Sequence, residues 1–527
     1  MSIVPEKAAL PKPETQGVVE NSTIESSGDI EASSGTDDEA AAAVARLEEL
    51  GRLYGATWDS PSDPADPYNW SSTKKVTIGI VMSLGALVTL IGASVVAPAI
   101  PDITRDLGLS PAAAQIAFSV YFLGLAFSPF PIAAISEMNG RRNIWIVSNL
   151  WFILWNTLCP VGYSKGLMIT GRFLAATGAA AGNLLTGPVM ADMFGAQDRG
   201  KSLAIAAFLP YLGPALGPII GGAVSDLVSW PYLFYIVSIV NAMVLLIGVI
   251  FIKESYTPTL LRRKAARIHS RGTAQQNKPT KPSELAFWRT LFSDLGVNLI
   301  RPVHVLIRRP VTWVVCLNLA VDFEELLTWN VSDAAQGIYT LVLSTFSSLW
   351  IDQYHRSSLS SSLHYIAITV GITIATQDAA QRAVSSRRLP EGKPEYRVPY
   401  MIPSVLLVPA GLFWYGWAAE FHYHFIVVDI GVAVFAAGSF AYTQAMSAYI
   451  YDEFGRYAAS ATAAQRVLGQ TFGFAFPIFA PQLYSNLGYG WANSLLAFVF
   501  IGIAFPVPIC LWLWGEKLRA LGRSRTA

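Results

Sequence analysis

The chain has 527 residues, of which 53% are hydrophobic and only 14% are charged, and its formal net charge at pH 7 is +1. Soluble globular proteins carry roughly 25% charged residues, so this composition excludes an ordinary water-soluble domain. The near-zero net charge gives no electrostatic basis for nucleic-acid binding. The three cysteines (Cys159, Cys316 and Cys510) lie in or beside apolar runs, which excludes a disulfide framework or a cysteine zinc site.

The beginning of the chain is polar and acidic. Residues 1–60 contain twelve acidic and four basic side chains. Such a segment cannot bury enough apolar surface to fold, so we predict a disordered cytosolic tail over 1–65. It has no apolar stretch typical of a cleaved signal peptide, so the first spanning helix is expected to act as the targeting signal.

Twelve apolar runs then follow, each close to the length of about 20 residues that a helix needs to cross a membrane. The first six lie at about 76–98, 112–134, 143–163, 167–190, 201–224 and 232–252. The second six lie at about 311–350 (interrupted), 359–381, 399–418, 424–449, 460–484 and 491–514.

The distribution of Lys and Arg orients these spans. With the amino terminus in the cytosol, 32 of the 37 basic residues fall on the cytosolic side, three fall outside and two lie within spans. This bias follows the positive-inside rule and predicts that both termini are cytosolic. The three outer residues are Arg105, Lys165 and Arg356, and the two within spans are Arg172 and Arg466.

The spans therefore predict an all-α membrane protein with 12 transmembrane helices in two six-helix lobes, 66–252 and 311–516, and a short tail at 517–527. Two such lobes enclose a substrate site at mid-membrane in secondary transporters. The basic linker between the lobes, 253–310, opens with "KESYTPTLLRRKAARIH". This stretch is typical either of an amphipathic helix on the anionic inner leaflet or of a solvated basic loop.

The loop between the second and third spans reads "AAISEMNGRR" (133–142). It resembles the loop signature of the major facilitator superfamily, with Gly140, Arg141 and Arg142 in place and Glu137 standing where the family has Asp. The resemblance implies a cytosolic gate, at which Asp192 and Arg199 of "ADMFGAQDRGKSLA" (191–204) could pair with these residues. The alternative is that the two arginines only set topology.

The fourth span contains Arg172 in "GRFLAATGAAAGNLL", which resembles the family's span-four signature implicated in proton coupling. An ionisable residue within a span is a functional-site hypothesis by default. The alternative is an arginine that extends its side chain to the outer interface. Ala175, Ala179 and Gly182 offer a small-residue face for close helix packing.

The fifth span reads "LPYLGPALGPIIGG" (209–222) and resembles the signature that marks antiporters within the superfamily. Its glycines and prolines predict a bent helix that a neighbour can approach closely, and the resemblance suggests export. A merely kinked packing helix is the alternative. The residues concerned are Gly213, Pro214, Gly217, Pro218, Gly221 and Gly222.

Further stretches, such as "DPYNWSSTKK" (66–75) and "YAASATAAQRVLGQTFGFAFPIFA" (457–480), resemble fungal drug and secondary-metabolite proton antiporters of this superfamily. The resemblance implies a monomeric, multi-pass exporter of small amphipathic organic molecules, coupled to protons, in the plasma membrane or alternatively the vacuolar membrane. Nutrient or polyamine transport, or a transporter-like receptor or scaffold, are the alternatives.

The sequence contains no phosphate-cradling Gly-Lys-Ser/Thr loop and no metal-ligand cluster, so neither an enzyme nor a cofactor is expected. Candidate substrate contacts are Tyr121, Asn183 and Gln444, because transporter pockets combine apolar walls with a few polar groups. Asp429 and Glu420 are further proton-site candidates, with solvated rim acids as the alternative.

The stretch Leu319–Tyr339 interrupts the seventh span with four acids: Asp322, Glu324, Glu325 and Asp333. Removing residues 321–336 would join two apolar fragments into one span of suitable length. We therefore predict an atypical insertion at 321–336, either an acidic bulge that splits the span or a translated intron, and exclude its carboxylates from the site.

Overall fold

The structure, a computed structural model, describes residues 47–194, 196–272, 323–386, 398–454 and 458–514, with the side chains of some stretches in the helices, such as 196–208 and 451–465, left out of the description. It separates into two compact units, Met1–Pro61 and Ser62–Ala527. In the first unit a helix spans 47–54, and the Thr57 hydroxyl donates to the carbonyl oxygen of Leu47 at 2.9 Å. All regular elements in the described ranges of the second unit are helical.

The N-terminal half, meaning the chain from residue 62 to 272, contains nine α-helices. They are α1 (Ser72–Ser94), α2 (Ile100–Leu107), α3 (Pro111–Phe127), α4 (Pro129–Asn139), α5 (Arg141–Leu158), α6 (Lys165–Met193), α7 (Ala196–Leu227), α8 (Pro231–Phe251) and α9 (Thr257–Gly272). The predicted linker, which begins at residue 253, is thus helical from Thr257 to Gly272.

The C-terminal half, meaning the described chain from residue 323 onward, contains seven. They are α10 (Phe323–Ser348), α11 (Ser358–Leu363), α12 (Tyr365–Ser386), α13 (Val398–Glu420), α14 (Phe425–Phe454), α15 (Ala458–Ala504) and α16 (506–514). A π-helical turn, Leu349–Gln353, follows α10, and Gly488 interrupts α15 with a left-handed φ of 71°.

Seven helical stretches among the described residues are long and apolar enough to cross a membrane, or up to eight if the bent pair in the second predicted span counts as one. The all-helical membrane architecture predicted from the sequence is confirmed. The total of twelve spans, the lobe boundaries and the orientation of the termini stay predictions. We therefore write "predicted cytosolic side" for the ends near Arg141 and "predicted outer side" for the opposite ends.

The first span differs from its predicted extent of 76–98. α1 begins at Ser72 and ends at Ser94, and a 3₁₀ turn over Ala97–Ala99 separates it from α2. Pro98 lies within that turn and has no N–H to donate to an α-helical carbonyl. The last carbonyl groups of α1 consequently need other donors.

The acidic stretch differs too. α10 runs from Phe323 through Gln336 to Ser348 with no break, so the predicted bulge is not formed within the described residues. At 26 residues this helix has the length of a span, but it is not among the described stretches that are also apolar enough to cross a membrane. Ala334 and Ala335 are buried, at 5% and 2% exposure. Whether 321–336 is an insertion or a translated intron stays a prediction.

Small residues bring the helices of the N-terminal half together. Ala175 and Ala179 on α6 are buried, as the sequence predicted. A Cβ added to Gly182 would lie 3.1 Å from the Cα of Ala86 on α1. One at Gly178 would lie 2.8 Å from the backbone nitrogen of Phe152 on α5. α6 therefore packs backbone to backbone against two neighbours, which positions Arg172 on the same helix.

Candidate functional site

At the predicted cytosolic side, α5 and α8 cap each other. The Glu254 carboxylate accepts hydrogen bonds from the backbone N–H groups of Arg141 and Arg142, at 2.8 and 3.3 Å. In return, Arg142 donates from Nε to the carbonyl oxygen of Ile252 at 2.7 Å and from Nη2 to that of Val249 at 2.9 Å. The acid satisfies a helix amino terminus and the arginine a helix carboxyl terminus, each matching the local helix dipole.

We call this arrangement, made by Gly140, Arg141, Arg142 and Glu254, the capping joint. Gly140 has a φ of 95°, in the left-handed region, and any Cβ at this position would overlap the Glu254 carboxylate. The carboxylate also accepts from the backbone N–H of Tyr256 at 3.1 Å, and Glu254 is only 8% exposed. The glycine is therefore required twice, for its backbone conformation and for the close approach of the acid.

Arg141 extends the capping joint towards α6. Its Nη1 donates to the Ser136 hydroxyl at 2.9 Å, and its Nε lies 3.6 Å from Oδ2 of Asp192. The guanidinium carbon lies 4.6 Å from the centre of the Tyr256 ring, a cation–π distance. The Ser255 hydroxyl donates to the same Asp192 oxygen at 3.2 Å. The predicted contact between Arg141 and Asp192 is thus formed.

Two other residues predicted for this gate have different outcomes. Glu137 is exposed and has no ion pair within the described chain, so Glu254 provides the carboxylate that the sequence assigned to Glu137. The side chain of Arg199 lies outside the described residues. Sequence reasoning missed Glu254, although its position directly after an apolar span, on a side dominated by basic residues, was an available signal.

Arg172 is completely buried and bonded to backbone oxygens of two helices. Nη1 donates to the carbonyl oxygen of Gly92 at 2.6 Å and Nη2 to that of Ala93 at 3.0 Å, at the end of α1. Weaker bonds reach Ala117 at 3.4 Å and Phe118 at 3.3 Å on α3. The guanidinium thus donates to carbonyl groups that have no helical N–H partner at the broken end of α1. Among the described residues, no carboxylate contacts the guanidinium.

Tyr121 lies beneath this arginine, with the guanidinium carbon 4.6 Å from the ring centre. Its hydroxyl donates to the carbonyl oxygen of Thr89 at 2.7 Å, and its exposure is 0%. It therefore packs within the N-terminal half, and its part in substrate binding stays a prediction. Of the other substrate candidates, Asn183 is exposed, while Gln444 is half-buried and makes an interaction within the protein.

The antiporter-type helix, α7, packs its glycines against α1 and against the C-terminal half. A Cβ on Gly213 would lie 2.7 Å from that of Leu90, and one on Gly217 or Gly221 would overlap Ser94 or Val95. A Cβ on Gly222 would overlap Ser362 of α11. Pro214 and Pro218 are accommodated inside the helix. The first three glycines hold α7 on the broken end of α1, and the fourth contacts the other half.

Among the described residues, a single hydrogen bond accompanies this contact between the halves at the predicted outer side. Oδ2 of Asp226, in the last turn of α7, accepts from the backbone N–H of Leu359 at 2.8 Å. We call the contact of Gly222 and Asp226 with α11 the outer contact. It involves small side chains and one exposed carboxylate, in contrast to the network of the capping joint.

The residue after α11 is His364, which belongs to a cluster of the C-terminal half. Its Nδ1 lies 2.8 Å from Oδ2 of Asp429 on α14, and its ring stacks on Trp350 with centres 3.7 Å apart. The Tyr354 hydroxyl donates to the carbonyl oxygen of Tyr423 at 2.9 Å. Burial, together with the nearby Asp429 carboxylate, raises the pKa of Tyr354.

Asp429 is thus paired rather than a free acid at the rim. Glu420 likewise accepts from the backbone N–H of Gly490 at 3.1 Å and so helps to hold the turn at Gly488. Neither pairing could be foreseen from the sequence, since His364 lies 65 residues before Asp429 and Glu420 lies 70 before Gly490.

Comparisons with known proteins decide the family. The sequence profile described as Major Facilitator Superfamily matches residues 82–477. The chain belongs to the major facilitator superfamily. It is 35% identical over 435 residues to a "Probable efflux pump mfs2" of Aspergillus flavus, covering 81% of this chain and 99% of that one. It is 32% identical to "Efflux pump vrtL" of Penicillium aethiopicum, covering 89% and 90%.

Solved structures agree on the fold of this superfamily member. The Escherichia coli xylose transporter XylE, in a partially occluded inward-open conformation, matches with a TM-score of 0.57 and 15% identity over 83% of this chain and 98% of that chain. A POT family transporter in complex with 5-aminolevulinic acid matches with a TM-score of 0.59 and 13% identity over 84% and 96%. At this identity the similarity supports the shared fold alone.

Proposed function

We propose that this superfamily member exports small amphipathic organic molecules, such as drugs or fungal secondary metabolites, in exchange for protons and by alternating access. The observation that carries the proposal is the placement of the antiporter-type helix. Three glycines of α7 lie on the broken end of α1, and Gly222 contacts α11 of the other half. Several fungal relatives are named as efflux pumps or as a probable efflux pump, which supports export.

Alternating access requires contacts between the halves that can form and separate. Small-residue packing suits this requirement, because no long side chain has to be withdrawn when the helices part. The Asp226–Leu359 bond, at an exposed position, adds little free energy to the closed arrangement. We propose that the outer contact is the closed outer gate and that it opens to release substrate.

The capping joint plays a different part in this mechanism. All its hydrogen bonds lie within the N-terminal half, so it would move with that half as one body when the halves rock. Its link to Asp192 through Arg141 would hold the cytosolic ends of α5, α6 and α8 in fixed positions. It thus provides a rigid edge against which the cytosolic side can open and close.

Arg172 supports proton coupling through position rather than by pairing with an acid. Its bonds to four carbonyl oxygens keep the break in α1 in place, next to the helix that carries the antiporter-type glycines. We propose that the arginine maintains the surface on which α7 moves. Asp429 with His364 is then the titratable pair at the predicted outer side that suits a role in proton binding.

The test uses inside-out membrane vesicles from yeast that expresses the protein, with a panel of amphipathic fluorescent dyes. An acidic vesicle interior should drive accumulation of at least one dye, and a proton ionophore should abolish it. The G222V variant should lose accumulation, because the added side chain overlaps Ser362. The matched control G502V, at a glycine with no atom within 4 Å of its added Cβ, should keep it.

Two outcomes would contradict the proposal. Accumulation that is insensitive to the ionophore would exclude proton exchange. Dye uptake that occurs only with an acidic vesicle exterior would indicate that dye and protons move in the same direction, which is symport, the activity named for the structurally similar xylose transporters.

A further inference from the structure

A cavity of 230 Å³ lies beside the capping joint at the predicted cytosolic side. It lies between the start of α5, the end of α8 and the basic helix α9. Three cationic side chains line it: Arg142, Lys253 and Arg263. The remaining lining is contributed by Asn143, Ile250, Ile252 and Glu254.

The cavity has an excess of positive charge. Glu254 is the one acid among the described residues that line it, and three backbone N–H groups already bind that carboxylate. Arg142 donates to carbonyl oxygens, which neutralise no charge. Within the described part of the chain, Lys253 and Arg263 have no ion pair. The site therefore presents cations that the described protein does not neutralise.

A fourth cation increases this excess. Lys74, at the start of α1, lies close enough to Lys253 for the two positive charges to repel each other. Like charges that lie close together at a folded surface repel each other, and a bound anion would relieve that repulsion. Lys74 also contacts the Trp70 ring, with Nζ 3.4 Å from the ring centre, so it adds to the positive charge near the cavity without lining it.

The position of the cavity indicates where that anion comes from. The start of α1, the end of α8 and the amino-terminal part of α9 meet where predicted spans leave the membrane on the positively charged side. α9 buries Leu261 at 0% exposure, while Arg262, Arg263 and Arg267 are exposed. A basic helix anchored in this way lies at the level of lipid headgroups.

We propose that this cavity binds the phosphate headgroup of an anionic lipid of the cytosolic leaflet. Arg142, Lys253 and Arg263 are the cations that receive the phosphate oxygens, because arginine and lysine form short charge-assisted hydrogen bonds to phosphate. The bound headgroup holds α9 against the end of α8 and relieves the repulsion between Lys74 and Lys253. The proposal requires the predicted cytosolic orientation, but it is independent of the substrate and of the direction of transport.

Binding to the full-length protein in detergent tests the proposal. The probe is dioctanoyl phosphatidylinositol 4-phosphate, and dioctanoyl phosphatidylcholine is the lipid with no net charge. K253Q and R263Q should each weaken binding of the anionic lipid by about fivefold, and the double variant by about 25-fold, since each basic residue near an anionic headgroup contributes a similar factor. K253R should retain binding, because it keeps the charge.

The matched control is R262Q. Arg262 precedes Arg263 on the same exposed part of α9 and does not line the cavity, so its removal changes the net charge equally. It should change binding by less than about twofold. Thermal unfolding of each variant without lipid establishes that the substitutions leave the fold intact.

Three results would overturn the proposal. Equal weakening by R262Q would indicate general attraction to a basic surface. Unchanged binding in the double variant would show that the lipid binds elsewhere. Inorganic phosphate or glycerophosphoinositol 4-phosphate that binds as tightly as the lipid would assign the cavity to a soluble phosphate compound.

Discussion

The N-terminal half makes different kinds of contact at its two ends. At the predicted cytosolic side, the capping joint connects α5 to the end of α8 through four hydrogen bonds to or from the side chains of Glu254 and Arg142. At the predicted outer side, α7 meets α11 through a glycine and the single bond from Leu359 to Asp226. Charged, reciprocal bonds connect helices within one half, whereas the contact between the halves that we propose as the outer gate consists of small residues and one hydrogen bond.

The largest effect is expected from the buried cation that maintains the broken end of α1. R172A would leave the carbonyl oxygens of Gly92 and Ala93 without donors and create a cavity, at a cost of about 3–5 kcal/mol of unfolding free energy. R172K should be intermediate, because lysine keeps the charge without the planar fork. Thermal unfolding in detergent measures both, with R105A as the exposed control. Equal stability of R172A and R105A would contradict this role.

The next effect is expected at the capping joint. E254Q replaces one carboxylate oxygen with an N–H donor that faces a backbone N–H, and should lower the unfolding free energy by about 2 kcal/mol. The control E137Q, at the exposed acid of the same side, should change it by less than about 0.5 kcal/mol. If E137Q were the more damaging variant, the gate assignment predicted from the sequence would be right and the capping joint would be incidental.

A smaller effect on folding is expected at the outer contact. G222V overlaps Ser362, but the halves can move apart to relieve the overlap, so the loss of unfolding free energy should stay near 1 kcal/mol. The same movement should increase labelling of a cysteine placed at Ser360 by a membrane-impermeant thiol reagent, relative to G502V. Unchanged labelling would mean that this contact does not separate.

The smallest effect is expected from D226N. The amide oxygen still accepts from the backbone N–H of Leu359. Only the charge contribution to this bond is lost, which should weaken the closed outer contact by about 0.5 kcal/mol. Labelling at position 360 should rise by about twofold, and unfolding should not change. D102N, which removes an exposed acid of α2 within the same half, is the control. A fall in labelling would show that the carboxylate opposes closure.

Much of the fold was predictable, because spanning helices can be recognised in a sequence by long apolar runs that are separated by basic loops. Gly140, Arg141 and Arg142 were also found from the sequence, since they lie together in one short loop. The antiporter-type glycines were found as a group. That Gly213 packs on α1 and Gly222 on α11 depends on the helix that each one faces, which the sequence does not show.

The missed features share a physical cause: they depend on partners that are distant in the sequence. Glu254 becomes a cap only because α5 and α8 end side by side. Arg172 was seen as a possible proton-coupling residue, yet the break after Ser94 turns it into a donor to carbonyl groups. The acids of Leu319–Tyr339 suggested a bulge, whereas α10 continues through Gln336 as a helix.

The capping joint also has a consequence for the order of events during biosynthesis. Glu254 follows Arg141 by 113 residues, so the ribosome adds the acid long after α5 has been made. At typical rates of elongation the interval is roughly 6 to 20 s. Throughout that time the first turn of α5 lacks its cap, and Arg142 lacks the carbonyl groups of α8. The joint can therefore form only after α8 has been synthesised. At that stage most of the C-terminal half has not yet been made.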